Sequence, residues 1–278
     1  MPRHHFVIVA TVLLAVCSRL PAQSTRSGGG QASRSDQTSS RKSDAELIIE
    51  QARASLGGST TLDSVTTLEI LGTEEREYAG ALPKGATGYD SPAEPFGFKM
   101  RWPDRFQFTR HWFIHTLEGR AFWQKQTGGP TVPQTPDLQA TARRSTELNA
   151  ATCTLAFLLK TPPSLGLRPR YLGVVKIEGL EGPTVEFVGP TTYAPKLIFD
   201  PVGHTPMAAI TTARRFDASG IERVVQVVKR LEDYRKVDGL RFPFRLDERA
   251  PGRHTITRIK SIRVNPPLGL RDFANPSR

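Results

Sequence analysis

Sulfhydryl chemistry is nearly missing from this chain: its 278 residues hold two cysteines, Cys17 and Cys153. Cys17 lies in an apolar leader, so once that is removed only Cys153 is left and no internal disulfide can form. Cys153 sits among Thr152, Thr154, Leu155 and Ala156, the setting of a small packed residue on a helix face rather than an activated nucleophile. Long apolar runs are lacking too. The run over residues 6–16 is shorter than the roughly 20 residues of a membrane helix, and no later segment could cross a bilayer. GxSxG, HExxH, P-loop and GxGxxG signatures are absent. His111 and His115 are four apart, but four strand residues span about 13 Å, too far for one metal. His204 and His254 stand alone. No metal, cofactor or catalytic residue is therefore expected, and an enzyme ranks a distant third among the functional readings.

What is present begins with an export signal. Arg3, His4 and His5 precede the apolar run, and Leu20-Pro21-Ala22-Gln23 offers a cleavage region. Residues 1–23 read as a signal peptide, which predicts a periplasmic location in a diderm host. Lipid anchoring at Cys17 ranks second, because Val16 is large for the position before a lipidated cysteine. Residues 24–42, rich in Ser and Gly without a large apolar residue, are expected to be a disordered linker. Residues 43–278 are long enough for one all-β barrel or sandwich. The formal net charge of +11 has much of its excess late in the chain. It suits an anionic surface or an acidic partner. A solvated outer strand face explains it at least as well. Nucleic acid fits poorly, since the arginines are spread along strands and no recognition motif is present.

Hydropathy periods give the elements. Residues 43–56 carry a capping box, Ser43 with Glu46, then a helical apolar stripe ended by Gly57-Gly58. From residue 96 the period becomes two. Phe96, Phe98, Met100 and Trp102 share one parity, followed by Phe106, Phe108, Trp112 and Ile114. A second helix begins near Thr135-Pro136 or later near Ser145, with Leu148, Thr152, Leu155 and Leu159 as its stripe. After it come strand-like segments with turn residues between them. They end in a hairpin in which Asp238-Gly239 favours a type I′ turn and Leu240, Phe242, Phe244 and Leu246 form one face. Asp233, Asp238, Asp247 and Glu248 are expected in salt bridges with Arg235, Arg241 and Arg249. The sum is roughly eleven to thirteen strands in short hairpins with two amphipathic helices, which predicts a curled antiparallel barrel or half-barrel with a helical cover.

Two stretches carry a family likeness. ARASLGGSTTLDSVTTLEILG near the start, and LEDYRKVDGLRFPFRLDERAPGRHTITRIKSIRVNPPLGLRDF at the end, resemble the LolA/LolB/RseB-like superfamily of exported bacterial proteins related to outer-membrane lipoprotein-sorting proteins. The features shared at the end are Tyr234, Asp238, Gly239, Pro243, Val264, Asn265, Pro266 and Phe273. LEGRAFWQ, with Gly119 and Trp123, is similar to the group's middle strand. The resemblance implies an unclosed antiparallel barrel around a helical lid, with an apolar cavity that in the best-known members holds lipoprotein acyl chains.

Two functions follow as expectations. In the first, a monomeric envelope protein binds an apolar ligand, such as a lipid or acyl chain. Its cavity is lined by Phe96, Phe98, Met100, Trp102, Phe106, Phe108, Trp112, Leu240, Phe242, Phe244 and Leu246, under a lid bearing Leu148, Thr152, Leu155 and Leu159. In the second, Arg241, Arg245, Arg258, Lys260 and Arg263 form a basic outer face for an envelope protein partner.

Overall fold

The computed structural model describes residues 43–78, 91–110, 113–119, 121–126, 136–190, 194–216 and 222–274. They belong to one compact unit, Lys42–Arg278. The segments expected as signal peptide and linker, and Trp112, lie outside the described residues. Two helices open the unit, α1 (Asp44–Ser55) and α2 (Ser59–Asp63). Strands β1 (Thr67–Tyr78), β2 (Ser91–Arg101), β3 (Arg105–Arg110), β4 (Phe113–Glu118) and β5 (Ala121–Gln126) follow. The long helix α3 (Pro136–Leu158) comes next, then β6 (Arg168–Ile177), β7 (Leu180–Val188), β8 (Lys196–Phe199) and β9 (Pro206–Phe216). The chain closes with β10 (Glu222–Val237), β11 (Leu240–Ala250) and β12 (Arg253–Val264).

All twelve strands form one antiparallel sheet, in the order β5-β4-β3-β2-β1-β12-β11-β10-β9-β8-β7-β6. Every neighbour is a sequence neighbour except one: β1 pairs with β12. Joining the first strand to the last turns the middle of the chain outward, so β5 and β6 become the two edges. Helix α3 is the connection between those edges. It packs on β4 and β5 from one limb and on β9 from the other. The fold is thus an unclosed barrel whose opening is spanned by a helix, as the strand count and the two helical stripes predict.

The helix ends are held by the devices seen in the sequence. Ser43 caps α1, with its Oγ accepting from the Glu46 amide, while Glu46 accepts from the Ser43 amide at 2.8 Å. Gly57 follows at φ 126°, and a Cβ there would lie 2.7 Å from the Gly239 carbonyl oxygen. That close approach lets the Arg241 amide donate to the Leu56 carbonyl at 2.9 Å, tying α1 to the β10–β11 turn. The turn has φ 47° at Asp238 and 84° at Gly239, as type I′ requires. Helix α2 escapes sequence reading because five residues carry no periodicity.

The closing motif also acquires a physical role. Asn265 sits at φ 51°. Its side-chain oxygen accepts from the Thr66 and Thr67 amides at 2.8 and 3.3 Å, and its Nδ2 donates to the Ser64 carbonyl at 3.2 Å. It clasps the end of β12 to the start of β1. Past it the tail crosses the convex face, where the buried Phe273 accepts a hydrogen bond from the Trp123 indole through its carbonyl at 3.2 Å.

Replacing Asn265 by Ala removes four side-chain hydrogen bonds, that from the Thr66 hydroxyl included, and puts at positive φ a residue that tolerates it less well than Asn. Urea unfolding should show a loss of about 1–3 kcal/mol. Asn265→Gly, which relieves only the backbone, should recover part of it.

Candidate functional site

Register decides which side chains meet on the concave face. Leu246 pairs with Leu231 and Thr257, Phe98 with Ile70 and Phe108, and Met100 with Leu68 and Phe106. With Phe96, Leu240, Phe242 and Phe244 these residues are buried in the central core. The Phe98 and Phe108 rings are 4.8 Å apart, and Phe242 faces Phe157 of α3 at 6.4 Å. Trp102 packs at the margin, with the Lys160 ammonium 5.4 Å over its ring. The expected aromatic face is therefore real, and α3 is packed down on it. Ile114 was expected on the Phe106 and Phe108 face. It pairs with Thr109 and so points to the other side, and His115, opposite Phe108, takes the inward place.

Helix α3 has two different halves. Every residue from Ala150 to Leu158 is buried. Leu155, Phe157 and Leu158 enter the core, and the Thr152 and Thr154 hydroxyls return to helix carbonyls at 2.8 and 2.9 Å. The C-terminal end is fixed, because Lys160 donates to the Asp63 and Val65 carbonyls at 3.1 and 2.9 Å and Arg53 to that of Leu159 at 3.2 Å. These cations also suit the negative end of the helix dipole. The N-terminal half is more exposed and covers a cavity of about 620 Å³.

That cavity is the candidate site. Its roof is Ala140, Thr141, Arg144, Ser145, Leu148, Asn149 and Thr152 of α3. Opposite stand Ala209, Thr211, Thr212 and Ala213 of β9, Val227 and Lys229 of β10, Glu248, Arg253 and Arg110. Of the residues proposed from sequence, Leu148 and Thr152 line it. Phe96, Phe98, Phe106, Phe108, Phe242 and Phe244 lie in the neighbouring core, and Leu155 and Leu159 are buried in the C-terminal half of the helix and just past its end.

The charged wall went unread, although its signal was present. Arg110 continues the parity of Phe106 and Phe108, and Glu248 that of Leu240 to Leu246. Glu248 pairs with Lys229 at 3.0 Å and with Arg253, and Arg110 lies 3.8 Å from Glu74. Arg76 donates to Glu74 at 2.8 Å. Burial alone would raise the Glu248 carboxyl, but the charges of Lys229, Arg253 and Arg110 together hold it well below the usual range. Glu74 behaves alike: burial raises it, and Arg110 with Arg76 outweighs that. Cys153 is buried beside this wall, and burial pushes its thiol up, which keeps it protonated and inert.

The basic outer face is largely compensated by acids within the same sheet. Arg245 pairs with Glu232 at 2.9 Å, Arg258 with Glu75 at 2.5 Å and Arg263 with Glu69 at 2.6 Å. Arg241 stacks on Tyr234, and Lys260 is exposed. Of the other turn-region acids, Asp233 meets Arg235 at 2.5 Å and Asp247 meets Arg249 at 3.2 Å, as expected. Glu248 instead faces inward.

A solved structure shares this architecture. A LolA superfamily protein from Nitrosomonas europaea superposes with a TM-score of 0.50 at 12% identity, over 84% of this chain and 99% of the other. A DUF1329 family protein from Desulfovibrio piger gives 0.49 at 10% identity, over 85% and 99%. A domain from Vibrio parahaemolyticus named for outer-membrane lipoprotein sorting gives 0.46 at 13%, over 83% and 97%. No protein-family model and no curated protein matches the sequence. The fold is that of the LolA superfamily protein, and the likeness read from the two ends of the chain holds at the level of fold.

His115, on the inward face beside the site, gives the fold a pH signature. Its ring lies 6.2 Å from both Phe113 and Phe122, and burial, then the charge of Arg110, lowers its pKa to about 4. Unfolded imidazole titrates near 6.5. The folded state thus has its full advantage above pH 6.5 and loses it as pH falls towards 4. His115→Phe removes this titration. The stability of wild type relative to the variant should fall between pH 6.5 and 4 in urea unfolding, and stay constant above pH 7.

Proposed function

We propose that this protein is an exported, non-enzymatic lipid-binding protein of the cell envelope, and that an acyl chain enters between the N-terminal half of α3 and the concave face of the sheet. The observation that carries this reading is the cavity itself. Its volume of about 620 Å³ falls within the range of small-molecule sites, about 300–1,000 Å³. The roof is the more exposed half of a helix whose far end is fixed, and in this reading that half is the cover that lifts. Beyond Leu148, Thr152 and Ala209, a longer chain reaches the aromatic core around Phe96, Phe98 and Phe108 if α3 shifts away. The residues expected to line the cavity then act as its deep wall, and the helix as its lid.

Removal from water is worth about 0.8 kcal/mol per methylene, so affinity for a homologous series of fatty acids should rise about fourfold per carbon until the cavity is full. Displacement of a fluorescent fatty acid from delipidated protein measures this. Leu148→Trp, on the exposed half of the helix, should lower uptake while leaving the unfolding midpoint in place. A flat chain-length profile would count against the reading.

A further inference from the structure

We infer that the cavity selects amphiphiles with an anionic headgroup, a carboxylate or a phosphate, seated against Arg110, Arg144, Lys229 and Arg253 with the tail directed to the aromatic floor. This rests on the lipid-binding reading and specifies its ligand.

Four cations and one carboxylate line the cavity. Glu248 is committed to Lys229 and Arg253, which fixes those two side chains in position on the strands either side of β11. Arg110 is held near Glu74 at 3.8 Å, a contact too long for a hydrogen bond, and Glu74 is already bonded to Arg76. Among the described residues, the buried Nε atoms of Arg110 and Arg253 and the hydroxyl of Thr255, which pairs with Glu248, have no hydrogen-bond partner. Buried donors are rarely left unpaired. Here two of them belong to residues that line one cavity with excess positive charge. Arg144, exposed on α3, adds a cation at the roof. A single anionic head seated in the cavity would offset this charge.

The charged wall also joins the greasy floor directly. Arg110 pairs across the sheet with Phe96, and its guanidinium lies 5.7 Å over the Phe96 ring. A molecule whose head meets Arg110 therefore has its tail at the edge of the aromatic core. Leu148 and Val227 complete an apolar path along the same cavity. The arrangement matches an amphiphile rather than an uncharged hydrocarbon or a free anion.

The test titrates delipidated protein by calorimetry with dodecanoate, dodecyl phosphate, dodecanol, dodecyltrimethylammonium and inorganic phosphate. One or both anionic amphiphiles should bind at least about tenfold more tightly than dodecanol, the equivalent of one charge-assisted hydrogen bond. Their order then tells carboxylate from phosphate. Raising salt should narrow the gap. Arg144→Glu, on the exposed helix surface, should reduce it about tenfold, and Arg110→Gln should reduce it as well. Equal binding of dodecanol and the anions, or preference for the cation, would overturn the headgroup assignment while leaving lipid binding intact. Inorganic phosphate binding as tightly as dodecyl phosphate would also overturn it, in favour of a free-anion site. If no amphiphile binds, both readings fall.

Discussion

The pairing of β1 with β12 is the contact on which the rest of the structure depends. A meander of twelve strands could be laid out in sequence order, with its first and last strands at the edges. Here those two strands are hydrogen-bonded along eleven residues of β1, from Leu68 to Tyr78. The edges become β5 and β6, and the only connection between them is the segment containing α3. A helix so placed has to cross the opening. The Asn265 clasp at one end of this pair, and the fit of Gly57 against Gly239 nearby, hold the junction that sets where the helix lies.

The same junction orders the concave face by chemistry. Along β1, β2, β3 and β11 the inward positions run from apolar to charged: Leu68 and Ile70 to Glu74, Met100 and Phe98 to Glu94, Phe106 and Phe108 to Arg110, Leu240 and Phe242 to Glu248. Pairing puts the charged ends together as a band, and α3 follows this gradient with its apolar half over the floor and its polar half over the band. Burying charges is costly unless they are paired. The carboxylates of Glu74 and Glu248 are each met by two or more cations, and the surplus of positive charge lies on the wall of the cavity.

Much of the fold was legible in the sequence because its signals are local. Period-two alternation, the Ser43 and Glu46 capping box, Asp238-Gly239 and Pro136 each act over a few residues, and each appears where expected. The site was less legible because it is made by register across strands far apart in the chain. Arg110, Lys229, Glu248 and Arg253 lie on four strands, and no spacing in the sequence brings them together. Their inward parity was readable, but charged residues at strand ends look like ordinary solvated ones until the covering helix is known. Nor did the aromatic parity reveal that α3 would press on it, leaving the open volume one step further along the sheet. Ile114 and His115 are exchanged for a similar reason: Phe108 pairs with His115 and Thr109 with Ile114, and one residue of shift exchanges the faces.

The central claim is that a lipid tail lies between the N-terminal half of α3 and the concave sheet. The most direct measurement is photo-crosslinking of the delipidated protein with a fatty acid carrying a diazirine near the end of its tail, mapped by mass spectrometry. The account predicts adducts within residues 140–152 of α3, residues 209–213 of β9 and the inward aromatic residues of β2 and β3. Adducts confined to the outer basic face around Arg258, Lys260 and Arg263, or to the β6 edge, would contradict it.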